Sequence, residues 1–405
     1  MTGYAADRPP PLQGLTVLDV GHIYLGPYAG FLLATAGARV VKVEPLAGEG
    51  LRTRGSNLPF AMLNSCKESV TIDLKHPSGV GLFRRLAAAA DVVIVNFPPG
   101  VPERLGIGHQ QLEADNPRLV FAHGSGFGVR GLDGDLVDNS VPAMDITIQA
   151  HAGAMAITGN EGDPPLKSGA AFVDFLGGTH LFGAITTALY ERERTGRGRS
   201  VEVSMADAAY FTLTTALAQW QRTGETPRAG NRHVGRTLAP YNVYRCADGH
   251  VALIVINDRQ WRGVTEVIGR PELVDDRRFA GFRARAERIG EIDAIVEGWT
   301  SERPKAEVAA ALQGASVPAA AVRFIDEIVE DPAQHQRGAL QWIDHPRWGR
   351  LPLPHSPIRW HGSPLVELDP SPELGADNDR VFAELAGLDD GEIAALAEAG
   401  VTRPR

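Results

Sequence analysis

The chain has 405 residues, more than one hydrophobic core usually organises, so two domains or one domain with a large insertion are expected. Hydrophobic residues make up 43%, charged residues 22%, and the formal net charge is −9; this excludes a disordered or fibrous chain and gives no basic footprint for nucleic acid. Cys66 and Cys246 lie too far apart for a zinc knuckle or a disulfide framework, no stretch reaches the ~18 apolar residues of a membrane span, and the polar, proline-rich start carries no secretory signal, so a cytoplasmic protein with no membrane partner is expected.

After a short lead over 1–14, expected to be disordered, the β-branched run Leu15 to Val20 reads as a buried strand. Gly26-Pro27 opens a helix through Ala36, because proline suits a first helical turn, and Ala38 to Glu44 is a second strand; residues 15–44 are therefore one βαβ unit. The pattern recurs with a helix from Pro77 to Ala90 and strands at 91–95 and 119–123, so helices on an open parallel sheet are expected. Residues 136–170 are rich in Gly, Ala, Pro and Asp and precede a long apolar helix from Asp174 to Glu193. A strand at 201–203 leads to a long helix over 205–222. Strands at 241–244 and 250–256 flank an Asp248-Gly249 turn and begin a separate α+β lobe with helices at 261–268, 283–300 and 305–312 and a strand at 317–322. Residues 346–370 are proline-rich, and helices at 377–386 and 392–399 close the chain.

Several catalytic templates are missing. Gly21, Gly26 and Gly30 do not make G-x-G-x-x-G, although Glu44 stands where a ribose-binding acid would. No G-x-S-x-G elbow, phosphate-binding loop or H-E-x-x-H helix occurs, and no metal site is indicated. His22 and His151 are candidate bases, each without an orienting partner nearby in sequence. Asp174, inside Ala171-Phe-Val-Asp-Phe-Leu-Gly-Gly-Thr179, reads either as a helix cap or as a nucleophile kept ionised by the helix N-terminus. Gly177 and Gly178 would let a bulky thioester approach the backbone.

At these residues the sequence resembles the family III coenzyme A transferases, the group that includes formyl-CoA transferase and the carnitine and bile-acid CoA transferases. The similarity runs from about Leu12 onward. It is carried by Leu15 to Glu44, Asn64-Ser-Cys-Lys-Glu-Ser-Val-Thr-Ile-Asp-Leu-Lys75, Asn96-Phe-Pro-Pro-Gly-Val-Pro-Glu-Arg-Leu-Gly106, Asp145 to Ala150, Pro165 to Asp174 and Thr195 to Met205. The resemblance implies an α/β fold: an open parallel-sheet, Rossmann-like large domain plus a smaller inserted α+β domain, in an interlocked homodimer. The expected parts are 15–204 of the large domain, a helical linker over 205–224, a small domain over 225–325 and a return segment over 326–405.

The resemblance also makes Asp174 the nucleophile, which takes CoA from an acyl-CoA as an aspartyl thioester and passes it to a free carboxylic acid, with coenzyme A as substrate and product and no metal. It implies CoA contacts at Tyr24, Leu25, Ile72, Asp73, Leu74, Lys75, Asn96, Phe97, Arg104 and Asp145, with Lys75 and Arg104 on the phosphates and Ile72, Leu74 and Phe97 around adenine, although Ile72 and Leu74 read equally as strand core; backbone N–H groups beside Gly177 and Gly178 are the expected oxyanion donors. Some positions depart from the family pattern. Tyr24 replaces the Gln of formyl-CoA transferase, Glu68 replaces a basic residue, Pro45 replaces an Arg, and Arg52, Arg54 and Arg84 are candidates to compensate. Racemases of the same fold need a histidine before the aspartate, where this chain has Met144-Asp145; racemase-like proton transfer and a silent acyl-CoA-binding protein are the alternatives.

Overall fold

The computed structural model describes residues 8–53, 57–131, 141–226 and 228–404. Strand β1 (Thr16–Asp19), helix α1 (Leu25–Thr35) and strand β2 (Arg39–Glu44) form the expected βαβ unit. They are followed by β3 (Glu68–Thr71), α2 (Pro77–Ala88), β4 (Val92–Val95), α3 (Val101–Arg104), β5 (Val120–Ser125), α4 (Asp145–His151), α5 (Phe172–Thr195) and β6 (Ser200–Ser204). The six strands make one parallel sheet of order β3-β2-β1-β4-β5-β6. Continuous apolar runs such as Val92-Val-Ile-Val95, buried throughout, suit strands covered on both faces. Chain order reverses between β1 and β4, so the loops leaving these neighbours part and open a crevice at their carboxyl ends.

By contacts within the chain there are two compact units, one of residues 1–149, 170–209 and 331–405, the other of residues 150–169 and 210–330. The second unit differs from the expected insertion at 225–325: it also takes in 150–169 and 326–330, expected in the large domain, and 210–224, expected in the linker. The expected linker helix is broken: α6 (Met205–Tyr210) passes through a 3-10 turn at Phe211–Leu213 into α7 (Thr214–Thr223). In the second unit β7 (Tyr241–Cys246), β8 (Gly249–Ile254) and β9 (Ala319–Ala321) form an antiparallel sheet, with α8 (Asp258–Val267), α9 (Gly281–Glu287), α10 (Ile289–Thr300) and α11 (Lys305–Gly314). Its own core includes Tyr244, Val251, Trp261, Val264 and Val296.

Back in the first unit, a hairpin of β10 (Leu340–His345) and β11 (Gly349–Pro354) precedes α12 (Asn378–Ala386) and α13 (Asp390–Glu398). That hairpin is absent from the sequence expectation, because Pro352 and Pro354 read as strand breakers; a two-stranded hairpin tolerates proline where an N–H faces outward. Residues 8–14 correct the expected disordered lead: the Leu12 N–H donates to the Ala36 carbonyl at 2.9 Å and the Arg8 N–H to Gly362 at 2.9 Å, while residues 1–7 lie outside the described residues. Helix α5 is long and apolar enough to cross a membrane by length and composition, contrary to expectation, but half of its most apolar window is buried inside the protein, as in a core helix.

Candidate active site

The turn between β1 and α1 rests on buried charge. Asp19, Lys42 and Lys67 are buried; Lys67 Nζ donates to Asp19 at 2.7 Å, to the Pro27 carbonyl at 2.8 Å and to Asn64 at 3.0 Å. Lys42 lies 3.7 Å from Asp19 and donates to the Gly21 carbonyl. Burial works against the Asp19 charge, yet Lys42 and Lys67 outweigh it and hold the carboxyl below its ordinary range. For Lys67 burial wins, and the ammonium falls to about 8. A neighbouring pair, Arg52 and Glu44, closes at 2.7 Å, with the guanidinium 4.0 Å from the Phe60 ring centroid. These cations neutralise buried acids, so the first turn is built on a fixed, locally balanced foundation.

Above it, the turns after β1 and β4 are sewn together. The His22 N–H donates to Asn96 Oδ1 at 2.7 Å and Asn96 Nδ2 returns a hydrogen bond to the His22 carbonyl at 2.8 Å. The His22 ring lies 5.1 Å from that of Phe97; burial first, and Lys42 second, push its imidazole down to about 4, so it is neutral at physiological pH. His22, Leu25, Asn96 and Phe97 line a cleft of about 380 Å³ together with Gly124 to Phe127 from the end of β5, Met144, Met205 and Asp174. The cleft therefore sits where the sheet topology places ligands, at the switch point outside the strand ends.

Asp174 enters this cleft from the first turn of α5. The sequence left it as a possible helix cap, but the helix begins at Phe172 with Ala171 in the cap position, which makes Asp174 the third helical residue. The cap comes from elsewhere: Asp145 Oδ1 accepts the Val173 N–H at 3.1 Å and the Asp174 N–H at 3.4 Å, and its Oδ2 accepts Gln149 Nε2 at 2.6 Å. Burial, with the Asp145 charge second, raises the Asp174 carboxyl from 3.8 to about 7. Among the described residues no group donates a hydrogen bond to that carboxyl. Such an acid is half-ionised near neutrality, more basic than an ordinary carboxylate, and unencumbered by donors.

Comparison with known proteins identifies the setting. The sequence pattern of CoA-transferase family III matches residues 12–378. This chain belongs to CoA-transferase family III. The transferase is 34% identical to a formyl-CoA:oxalate CoA-transferase of Streptomyces coelicolor, over 96% of this chain and 98% of that one. It is 32% identical to a succinate–glutarate CoA-transferase of Agrobacterium fabrum, over 95% and 98% of the two chains. Among solved structures it is similar to a CAIB/BAIF family protein from Brucella suis, with a TM-score of 0.81 and 31% identity over 93% of this chain and 100% of that one.

The structure brings only part of the expected contact set together in the transferase. Leu25, Asn96 and Phe97 line the cleft with Asp174. Tyr24 is half-buried with its ring 5.7 Å from Phe175, and its phenol is pushed up by burial and then by the charges of Asp174 and Asp145, which places all three acids in one field. Asp73, Leu74 and Lys75 follow β3, at the far edge of the sheet but on the same carboxyl side; Lys75 is exposed, as is Arg104 at the end of α3. Ile72 corrects its expectation: at 1% exposure it belongs to the core beneath the sheet and presents no face to adenine.

Gly177 and Gly178 also depart from their expected role in the transferase. A Cβ on Gly177 would meet Leu25 Cδ1 at 2.8 Å, and one on Gly178 would meet the Leu25 carbonyl at 2.8 Å and Tyr28 at 2.9 Å, so these glycines let α1 and α5 touch. Inside a helix their N–H groups are engaged with carbonyls four residues earlier and do not serve as oxyanion donors. Of the compensating arginines, Arg52 is held by Glu44 and Arg84 by Asp115 at 2.7 Å, while Arg54 lies outside the described residues. Glu68, the departure from a basic residue, pairs with Arg39 and Arg380.

Gly124 to Phe127 and Met205 line the cleft without having been marked in the sequence. Their signal is position alone, since they stand at the carboxyl ends of β5 and β6. The Asp19, Lys42 and Lys67 foundation carried a stronger one, a lysine inside the apolar strand Val40-Val-Lys-Val43. Among the described residues no group of three or more His, Cys, Asp or Glu is placed to hold a metal ion.

Proposed function

We propose that this transferase moves CoA from an acyl-CoA thioester to a free carboxylic acid through covalent intermediates on Asp174. The Asp174 carboxylate adds to the thioester carbonyl, the C–S bond breaks, and a mixed anhydride and CoA thiolate remain. The thiolate attacks the aspartyl carbon of the anhydride, releasing the donor carboxylate and leaving aspartyl-CoA thioester. The acceptor carboxylate repeats the two steps in reverse, and Asp174 is regenerated. Every proton is conserved, and the thioester energy passes from one acid to the other.

The observation that carries this reading is the Asp174 carboxyl at about 7, in the first turn of a helix at the floor of the switch-point cleft. Near neutral pH it is available as a carboxylate more basic than an ordinary aspartate and therefore suited to attack. The positive end of the α5 dipole favours the developing oxyanion. Asp145 acts as a positioning residue, since it fixes the first turn that carries the nucleophile. CoA lies along the carboxyl edge of the sheet, with Leu25, Asn96 and Phe97 beside the thioester and Lys75 and Arg104 as exposed cations for its phosphates.

Association into a homodimer is part of the same proposal. It is supported by exposed apolar side chains, Val141, Met144, Ile146 and Tyr190 in the first unit and Phe211, Trp220, Phe324 and Ile325 in the second. Sedimentation of the purified chain tests it, and a monomer at micromolar concentration refutes it.

The covalent route is tested by incubation with an acyl-CoA, quenching with hydroxylamine, and weighing the tryptic peptide of residues 168–192. The hydroxamate on Asp174 is expected. Full transferase turnover in Asp174→Ala removes the reading, and deuterium exchange at the acyl α-carbon without trapping would move it to the racemase class.

A further inference from the structure

Immediately behind the nucleophile lies a second cavity that the cleft does not include. It has a volume of about 230 Å³ and is walled by Tyr24, Tyr28, Phe31, Met62, Leu63 and Phe175. Successive helical residues point about 100° apart, so Asp174 faces the cleft while Phe175 faces this cavity. Tyr24 lines this cavity, and its phenol lies within the field of Asp174. Its ring is 5.7 Å from that of Phe175, and the Phe175 ring in turn sits edge-on to Tyr28 at 4.9 Å. The two cavities share no lining residue, so an acyl group bonded to Asp174 reaches this aromatic chamber only by passing Tyr24.

Charge is excluded from the chamber. None of its described lining residues is Lys, Arg, Asp or Glu. Its one histidine, His355, is committed elsewhere, with one ring nitrogen 2.9 Å from the Val366 carbonyl and the other 3.3 Å from that of Ser356, and burial pushes the Tyr24 and Tyr28 phenols up so that both stay neutral. A second carboxylate on the substrate would find no counter-charge here, and burying one unpaired is strongly unfavourable. By volume the fit is to a ring, since an apolar cavity of ~150 Å³ suffices for benzene.

We infer that this cavity is the acyl subsite and that the transferase acts on monocarboxylic acids with a compact apolar body, of the size of phenylacetate or hexanoate, in preference to small dicarboxylic acids. This rests on the proposed transfer through Asp174. It sets the chain apart from relatives named for oxalate, succinate and glutarate.

The test needs no knowledge of the natural donor. The full-length wild-type protein is given an acyl-CoA and the isotopically labelled form of the same acid, and label entering the thioester is followed for phenylacetate, hexanoate, acetate, succinate and oxalate. In each exchange one C–S bond breaks and one forms, with no net change. Phenylacetate and hexanoate are expected to exchange with kcat/KM at least tenfold above succinate and oxalate. Succinate or oxalate exchanging as fast or faster overturns the inference and leaves the covalent transfer intact; no exchange with any acid overturns both.

Met62→Lys, which puts an ammonium into the chamber, locates the subsite. In a variant shown by circular dichroism to melt cooperatively, phenylacetate exchange should fall at least tenfold and succinate exchange should rise relative to it. An unchanged ratio places the acyl group elsewhere and refutes the inference.

Discussion

Asp145 grips the helix turn that presents Asp174 across 29 residues of sequence, accepting two backbone N–H groups from α5 while its own charge makes the Asp174 carboxyl harder to ionise. One side chain thus sets both the position of the nucleophile and its basicity. The two effects separate under mutation.

Asp145→Asn keeps a side-chain oxygen for the cap but removes the charge. The acid limb of the pH profile of kcat/KM, set by ionisation of Asp174 at about 7, should move to lower pH. Asp145→Ala should move the limb in the same direction and also cost about 1 kcal/mol of stability through the lost cap. Rate profiles between about pH 5 and 9, with thermal melts of both variants, check this.

Asp174→Asn should abolish transfer, by roughly 10⁴-fold or more. It should also stabilise the fold. Because the native carboxyl is raised to about 7 from 3.8, its contribution to stability is fully present below 3.8 and is lost as pH rises through 7. A neutral amide escapes that loss, so the variant should be more stable than the parent at pH 8 by up to about 4 kcal/mol, with the gap shrinking toward pH 4. Denaturant midpoints at both pH values test the sign.

Lys67→Met should destabilise the first unit by about 3–5 kcal/mol, because Asp19 is left buried with Lys42 alone at 3.7 Å. The loss of its bond to the Pro27 carbonyl loosens the turn that carries Tyr24 and Leu25, so KM for acyl-CoA should rise as well. Urea denaturation and initial rates report the two effects.

Gly178→Ala and Gly183→Ala should have opposite signs although both lie in α5. The first places a methyl 2.8 Å from the Leu25 carbonyl, a backbone atom that cannot yield, at a cost of about 1–3 kcal/mol. The second meets nothing within 4 Å and should stabilise the helix by roughly 0.5–1 kcal/mol. Melting temperatures of the pair decide whether the glycines serve packing between α1 and α5.

The alternation of apolar strands with helices was readable at β1, α1, β2, α2, β4 and β5, because strand and helix periods are written in neighbouring residues, whereas the short β3, Glu68-Ser-Val-Thr71, carried too little apolar pattern to be read. Local signals failed where context overrides them. Pro352 and Pro354 hid the β10 and β11 hairpin, and Arg288 divides what read as one helix over 283–300 into α9 and α10. Ile72 read equally as core or ligand contact; only the packing of α2 and α12 over the sheet placed it inside.

By itself the sequence determined the βαβ start, the order of the parallel-sheet elements and an acid at the head of a long apolar helix, since each depends on residues within a few turns of one another. The tertiary structure decided what those pieces do together: His22 meets Asn96 across 74 residues, Lys67 meets Asp19 across 48, and Asp145 caps the turn of Asp174. The reason is physical. Desolvation and the field of neighbouring charges, which raise the Asp174 carboxyl toward neutrality, are properties of an enclosed space, and that space exists only once distant strand ends are brought side by side.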